Sequence, residues 1–358
     1  MRNILSLDGG GIRGVFLIQI LARMEALLRE KYQKPDLVLA DHFHYIGGTS
    51  TGAIVAAVLS WGAPVETIEK LYLDQSHQVF GRANALNRIW AKFEALALDR
   101  ILRDFFSVDG QPVLLGTERL RTHFLCVMRN ATTGAPWIIT NNPQAKYNDP
   151  SLPDNNLLIP LYKLIRASTA APYFFRPERI SLGGMEWLFM DGGVTPYNNP
   201  AFMMYLTATL PCFGNSWEDG EDKMRIISVG TGRVRETFKT RRFFKRVTIF
   251  DQIKHSLSAL VDSNNQHQDL SCRVLGRCLF GEPLDSELGS LVPEEIDALT
   301  SRKRFLYCRY NHNITPDEKA EVAHIVNFFS LDNLRAIDLL REFGQHFAAQ
   351  SVRIEHLV

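Results

Sequence analysis

Apolar residues follow two different rhythms along the first sixty positions. Asn3-Ile4-Leu5-Ser6-Leu7 is a compact run of the length of a buried strand. It passes through Asp8-Gly9-Gly10-Gly11 into a segment carrying Leu17, Leu21, Met24 and Leu28 at helical spacing. The same order returns at His44-Tyr45-Ile46-Gly47, which leads through Gly48-Thr49-Ser50-Thr51-Gly52 into an Ala/Val/Leu helix ending near Gly62. Two strand-turn-helix units in tandem imply a parallel sheet. Further strands are predicted at residues 125–128, 137–140, 187–190, 225–229 and 304–308, with helical patterns between most of them. Beyond about residue 245 the pattern turns largely helical, and Thr315-Pro316-Asp317-Glu318 combines a capping box with Pro at the first helical position. The expectation is an α/β core over residues 1–245 and a mainly helical region over 246–358 packed on it, the two forming one structural domain. No internal repeat is visible, and the polar stretch 141–156 reads as a surface loop.

Composition adds limits rather than an identity. At 358 residues and 46% hydrophobic the chain can bury a large core. A net charge of +1 provides no global field to draw it to nucleic acid or to an anionic membrane, so electrostatic recognition must be local. The densest basic run holds Arg233, Arg235, Lys239, Arg241, Arg242, Lys245 and Arg246, interleaved with three phenylalanines against the single acid Glu236. It reads either as a solvated loop or as a dock for anionic headgroups or a phosphate-rich ligand, with Arg241, Arg242, Lys245 and Arg246 as candidate contacts. Five cysteines without a C-x-x-C pair suggest reduced, mostly buried thiols and a cytoplasmic setting. The N-terminus lacks the pattern of a signal peptide, and the greasiest segment, 201–213, contains Thr207, Thr209 and Pro211.

Three glycine-bearing turns carry candidate chemistry. Gly48-x-Ser50-x-Gly52 between strand and helix permits a strained turn that exposes the serine hydroxyl, and the helix dipole behind it favours developing negative charge. The plain alternative is a glycine-rich connector. In Asp8-Gly9-Gly10-Gly11-Ile12-Arg13-Gly14 three successive glycines let backbone N–H groups converge, as an oxyanion hole requires. The same residues also suit a tight turn of positive φ. Gly9-x-Gly11-x-x-Gly14 is formally a dinucleotide fingerprint as well, but Asp36 lies in a Pro-containing connection, not at the end of a second strand. Asp191-Gly192-Gly193 places an acid at a strand end, where open α/β sheets build their sites, although Asp-Gly is also common in ordinary turns. On these residues alone a serine, aspartate, histidine triad stays open, because His255 follows Asp191 in hydrolase order. His255 nonetheless sits in a helical pattern with Leu257, Leu260 and Val261. His42, His44 and the cysteines read as structural, Phe174 and Phe175 as packing beneath the site, and Asn198-Asn199-Pro200 as a helix start.

Taken together, the three motifs stand in the order and wording of the patatin-like phospholipase patterns D-G-G-G-[IV]-R-G, G-T-S-[TG]-G and D-G-[GA]. The chain resembles that family over roughly residues 3 to 200. Arg166-Ala167-Ser168-Thr169-Ala170-Ala171-Pro172-Tyr173-Phe174-Phe175 is similar to the family's A-[ST]-x-A-P-x-[YF]-F helix end. The resemblance implies a three-layer α/β sandwich with a mainly parallel central sheet. It implies that Ser50 attacks an acyl ester while Asp191 accepts its proton directly. Gly9, Gly10 and Gly11 would hold the oxyanion, and Arg13 would orient that loop or meet a lipid phosphate. The implied reaction converts membrane glycerophospholipids into lysophospholipid and free fatty acid, with no metal and no cofactor required.

The chain length, the compact N-terminus and Arg309-Tyr310-Asn311 further resemble bacterial patatin-like effectors of anti-phage signalling. That likeness implies a cyclic dinucleotide activator; a homo-oligomer, action at the inner face of the membrane and the lack of a nucleic-acid partner are separate expectations. A constitutive lipid acyl hydrolase and a nucleotide-binding module using the glycine loop are the competing readings. Because no histidine lies in a motif, His255→Gln is expected to lower acyl hydrolysis less than about tenfold. A loss of the order of 10⁴ in released fatty acid would restore a triad.

Overall fold

A computed structural model of the chain describes residues 1–79, 96–234, 249–284, 302–314, 318 and 333–358. Strand β1 (Arg2–Leu7) is buried at every position after Arg2, and β2 (Tyr45–Thr49) along its whole length. Strands covered on both faces belong in a sheet sandwiched between helices. Side chains on successive positions then enter two separate cores. Leu5, Ile46, Phe124, Cys126 and Met128 join a large cluster with α1 (Gly14–Tyr32), α2 (Thr51–Ser60), α3 (Val65–Val79), α4 (Leu96–Phe105) and α5 (Leu161–Ser168). Ile4, Tyr45, Leu125 and Val127 point the other way, into a cluster with α6 (Ala201–Thr209) and Cys272 of α7 (Ile249–Leu275). The period of two produces both faces from one stretch of sequence, and the three-layer expectation is met.

Among the described residues the sheet has nine strands. After β1 and β2 come β3 (His123–Asn130), β4 (Pro136–Thr140), β5 (Glu178–Leu182), β6 (Met185–Asp191), β7 (Met224–Val229), β8 (Arg277–Phe280) and β9 (Leu306–Tyr310). Their spatial order is β8-β9-β7-β1-β2-β3-β6-β5, with β4 also paired to β3. Pairings from β8 to β3 are parallel, and those of β4, β5 and β6 are antiparallel.

The segment beyond residue 245 is more than a helical cover, because β8 and β9 enter this same sheet next to β7. Strand β8 was not anticipated: four residues directly after a long helix carry no readable periodicity. Helix α8 (Ile337–Ser351) lies along α1, with the Phe16 and Phe347 rings 5.6 Å apart. The capping residues Thr315 to Asp317 and the basic residues Arg241, Arg242, Lys245 and Arg246 lie outside the described residues, as does the side chain of His255. No helix among the described residues is long and apolar enough to cross a membrane. All five cysteines are free thiols, four of them buried and Cys212 exposed.

Candidate active site

Ser50 and Asp191 are brought together by strand register. Strand β2 runs parallel to β3 and ends with Thr49 opposite Val127. Strand β6 runs antiparallel and ends with Asp191 opposite Met128. Because β4 occupies the other edge of β3 across residues 125–129, β2 and β6 share one edge and meet end to end. The residues that follow these ends must leave the sheet at the same point.

Ser50 turns the chain there with φ 54° and ψ −123°, an uncommon conformation for a residue with a side chain. Gly52 makes the turn possible, since a Cβ on it would overlap the carbonyls of Leu7 and Asp8. The backbone N–H of Ser50 donates to Ser168 Oγ at 2.9 Å, and that hydroxyl in turn donates to the Val127 carbonyl at 2.6 Å. Helix α5 thus holds the turn from below. Ser50 Oγ donates to Asp191 Oδ2 at 2.7 Å, within the range for direct proton transfer.

Asp191 is buried, and its other oxygen accepts the Gly193 N–H at 2.6 Å. Burial pushes its pKa up to about 6, opposed by the hydrogen bonds from Gly193 and Ser50 and by the charge of Arg166. Arg166 lies over the Phe175 ring at 5.0 Å and donates to the Arg176 carbonyl. Phe175 is therefore a floor for that guanidinium as well as core packing.

The glycine loop folds against the nucleophile: a Cβ on Gly9 would stand 3.1 Å from Ser50 Cβ. Gly9 N–H is committed to the Asn198 carbonyl at 3.2 Å, and Asn198 Nδ2 returns a bond to the Gly9 carbonyl at 3.3 Å and another to Asn265 of α7. Of the three glycines, Gly9 therefore has its N–H spent within the fold. Arg13 Nη1 donates to the Gly232 carbonyl at 3.3 Å and ties the far end of the loop to the segment after β7. At the near end, Asp8 forms a buried two-point pair with Arg309 at 2.8 and 2.5 Å. Burial works against the Arg309 charge, but the Asp8 carboxylate outweighs it and raises the guanidinium pKa. Asp8, Arg13, Thr231, Asp269, Arg273 and Arg309 line a polar cleft behind the loop.

Sequence reasoning missed Ser168, Asn198 and the pairing of Arg309. In sequence Ser168 stands only as one residue of a helix-end pattern, with nothing to mark its hydroxyl. Asn199 does accept the Ala201 N–H, as a helix start requires, but its Oδ1 also serves Ser6 and Ser228. His42 and His44 serve the fold: His42 Nε2 lies 3.0 Å from the Leu357 carbonyl, and burial lowers its pKa to about 4. Among the described residues no cluster of His, Cys, Asp or Glu is placed to hold a metal.

An α/β sandwich whose central sheet ends in a serine turn bonded to a buried aspartate, beside a glycine loop, defines a narrow class of proteins. The chain belongs to the patatin-like phospholipase family, whose model matches residues 5–205. It is 29% identical to Patatin-17 of Solanum cardiophyllum over 260 residues, which covers 67% of this chain and 63% of that one. It is 32% identical to the cGAMP-activated phospholipase of Escherichia coli (strain TW11681) over 233 residues, covering 64% and 62%. The chain thus spans under two thirds of the length of these relatives. The crystal structure of VipD from Legionella pneumophila covers 98% of this chain and 67% of its own at 12% identity, with a TM-score of 0.36.

The raised pKa of Asp191 has a sign that stability measurements can read. A carboxyl whose folded pKa of about 6 exceeds the usual 3.8 adds stability below pH about 4, and that stability is lost as pH rises through 6. Asp191→Asn removes the buried charge. In urea unfolding at pH 8 it is expected to be more stable than wild type by up to about 3 kcal/mol, with little difference at pH 4.

Proposed function

We propose that the chain is a serine acyl hydrolase that cleaves phospholipids to lysophospholipid and free fatty acid by a Ser50/Asp191 dyad. The observation that carries this reading is the 2.7 Å hydrogen bond from Ser50 Oγ to the buried Asp191 carboxylate at a turn of positive φ. Asp191 takes the hydroxyl proton as Oγ attacks the ester carbonyl, and Gly10 and Gly11 N–H groups receive the oxyanion. Collapse of the tetrahedral species expels the lysophospholipid alkoxide, which leaves with the proton that Asp191 held. Water then gives its proton to Asp191 and attacks the Ser50 acyl ester, releasing the fatty acid and restoring the serine. A base of pKa about 6 is better matched to a hydroxyl than a solvated carboxylate is, and it stays ionised at neutral pH. Access to lipid would be from the cytoplasmic face of the membrane.

The test is fatty acid release from mixed phospholipid vesicles. Ser50→Ala and Asp191→Asn are each expected to lower kcat by about 10⁴-fold or more, and the double variant to be no worse, because the pair acts as a unit. For wild type, kcat/KM should rise with pH through an apparent pKa near 6 as the base ionises. Substantial turnover by Ser50→Ala would end the reading.

Regulation by a cyclic dinucleotide, in bacterial antiviral defence, is the second part of this proposal. It is supported by the likeness to the Escherichia coli relative named as cGAMP-activated. Phosphates would meet arginines of the polar cleft or the basic residues Arg241, Arg242, Lys245 and Arg246, provided the ligand binds the active state more tightly than the inactive one. Vesicle hydrolysis assayed with a panel of cyclic di- and trinucleotides is expected to rise at least tenfold with one of them. Equal activity without any nucleotide would leave a constitutive hydrolase. Activation that survives the change of all four basic residues to Ala would move the site to the cleft.

A further inference from the structure

We infer that Arg309 is a positioning residue for the oxyanion loop, acting through Asp8 to set the direction of the Gly10 and Gly11 N–H groups. The glycines of this loop have no side chains with which to anchor themselves. Asp8 is the last residue with a side chain before them, and it sits where the chain leaves β1. Its backbone N–H is bonded to the Val229 carbonyl at 3.0 Å. Its carboxylate is gripped at both oxygens by Arg309, Nη1 to Oδ1 at 2.8 Å and Nη2 to Oδ2 at 2.5 Å. A two-point grip by a planar guanidinium fixes the orientation of the carboxylate as well as its place, which a single contact does not.

Arg309 is itself held in place. Register sets Arg309 opposite Ser228 and Ser228 opposite Ser6, so the three form one rung across β9, β7 and β1. Arg309 Nη1 also donates to Ser228 Oγ at 2.8 Å, and Asn199 Oδ1 accepts from both Ser228 and Ser6. Asn199 adjoins Asn198, whose carbonyl and amide hold Gly9. Two residues further along β9's exit, Asn311 Oδ1 accepts the Gly232 N–H at 3.0 Å, and Gly232 is where Arg13 ends the loop. Both ends of the glycine loop are therefore referred to β7 and β9. Those strands lie beyond residue 205, where the family match stops.

A buried ion pair is weak evidence of stabilisation, since apolar replacements are often as stable. This pair sits at the hinge of the loop that faces the nucleophile, and orientation is what it supplies.

The inference rests on the reading of Ser50 as nucleophile, so the experiment separates the two. One sample of wild type is tested for labelling by a fluorophosphonate; Arg309→Lys and Asp8→Asn are then compared with unlabelled wild type on a soluble p-nitrophenyl ester. Inhibition is measured with a trifluoromethyl ketone, which forms an oxyanion on Ser50, and with the matching alcohol, which does not. Lysine keeps a charge for Asp8 but cannot grip both oxygens, and asparagine keeps the shape. Each variant, checked as folded by its near-UV circular dichroism, is expected to lose about 10²-fold in kcat with little change in KM. Affinity for the ketone should fall by a similar factor while affinity for the alcohol holds. Unchanged kcat in either folded variant, or parallel loss of both inhibitors, would overturn the positioning role alone. A wild type that takes no label at Ser50 would overturn the hydrolase reading and this inference with it.

Discussion

Two strand ends meet head to head on one edge of β3, and nearly everything else at the site follows from that junction. It brings Thr49 and Asp191 against adjacent residues, Val127 and Met128, although β2 and β6 arrive from opposite directions. A serine and an aspartate 141 positions apart then share a hydrogen without either side chain having to reach. The cost is that both must leave the sheet in a crowded corner. Ser50 takes a conformation that non-glycine residues avoid, and Asp191 keeps a carboxylate where water cannot solvate it. The burial that pushes the Asp191 pKa up to about 6 makes its ionised form a liability to the fold, so stability falls as pH rises through that value.

Around that corner, polar side chains do what an apolar core cannot. Ser168 passes a hydrogen bond from the Ser50 N–H to the Val127 carbonyl, linking the serine turn to the strand beneath it. Asn198 spans the glycine loop and α7, and Asn199 collects Ser6 and Ser228. Directional bonds fix angles, whereas hydrophobic packing fixes mainly distance and volume. A loop of bare glycines needs the former.

The parts written locally in the chain were the legible ones. The strand-turn-helix units occupy residues 2–32 and 45–60 and the strand ending at Asp191 only 185–191, and each was located within a few positions. The mainly parallel sheet followed from their order. What stayed hidden depends on contacts between distant segments. Nothing near Arg309 in sequence says that it meets Asp8, because 301 positions separate them and only the register of β9 on β7 brings them together. Asn198 and Asn199 looked like a cap because one of their bonds is a cap; the others go to β1, the glycine loop, β7 and α7. Strand β8 was invisible for want of length.

The strand order also dictates when the surroundings of Ser50 and Asp191 can be complete during synthesis. Strand β1 is flanked by β2 and β7, and β7 is in turn covered by β9, the last of the sheet's described strands to be translated. A ribosome-bound fragment that ends after β7 contains Ser50 and Asp191 but leaves β7 as a bare edge and Asp8 without its counterion. Pairings of such long separation form late and slowly. Ser50 and Asp191 are thus made long before the residues that clamp the glycine loop beside them, and that clamp closes only as β9 emerges from the exit tunnel.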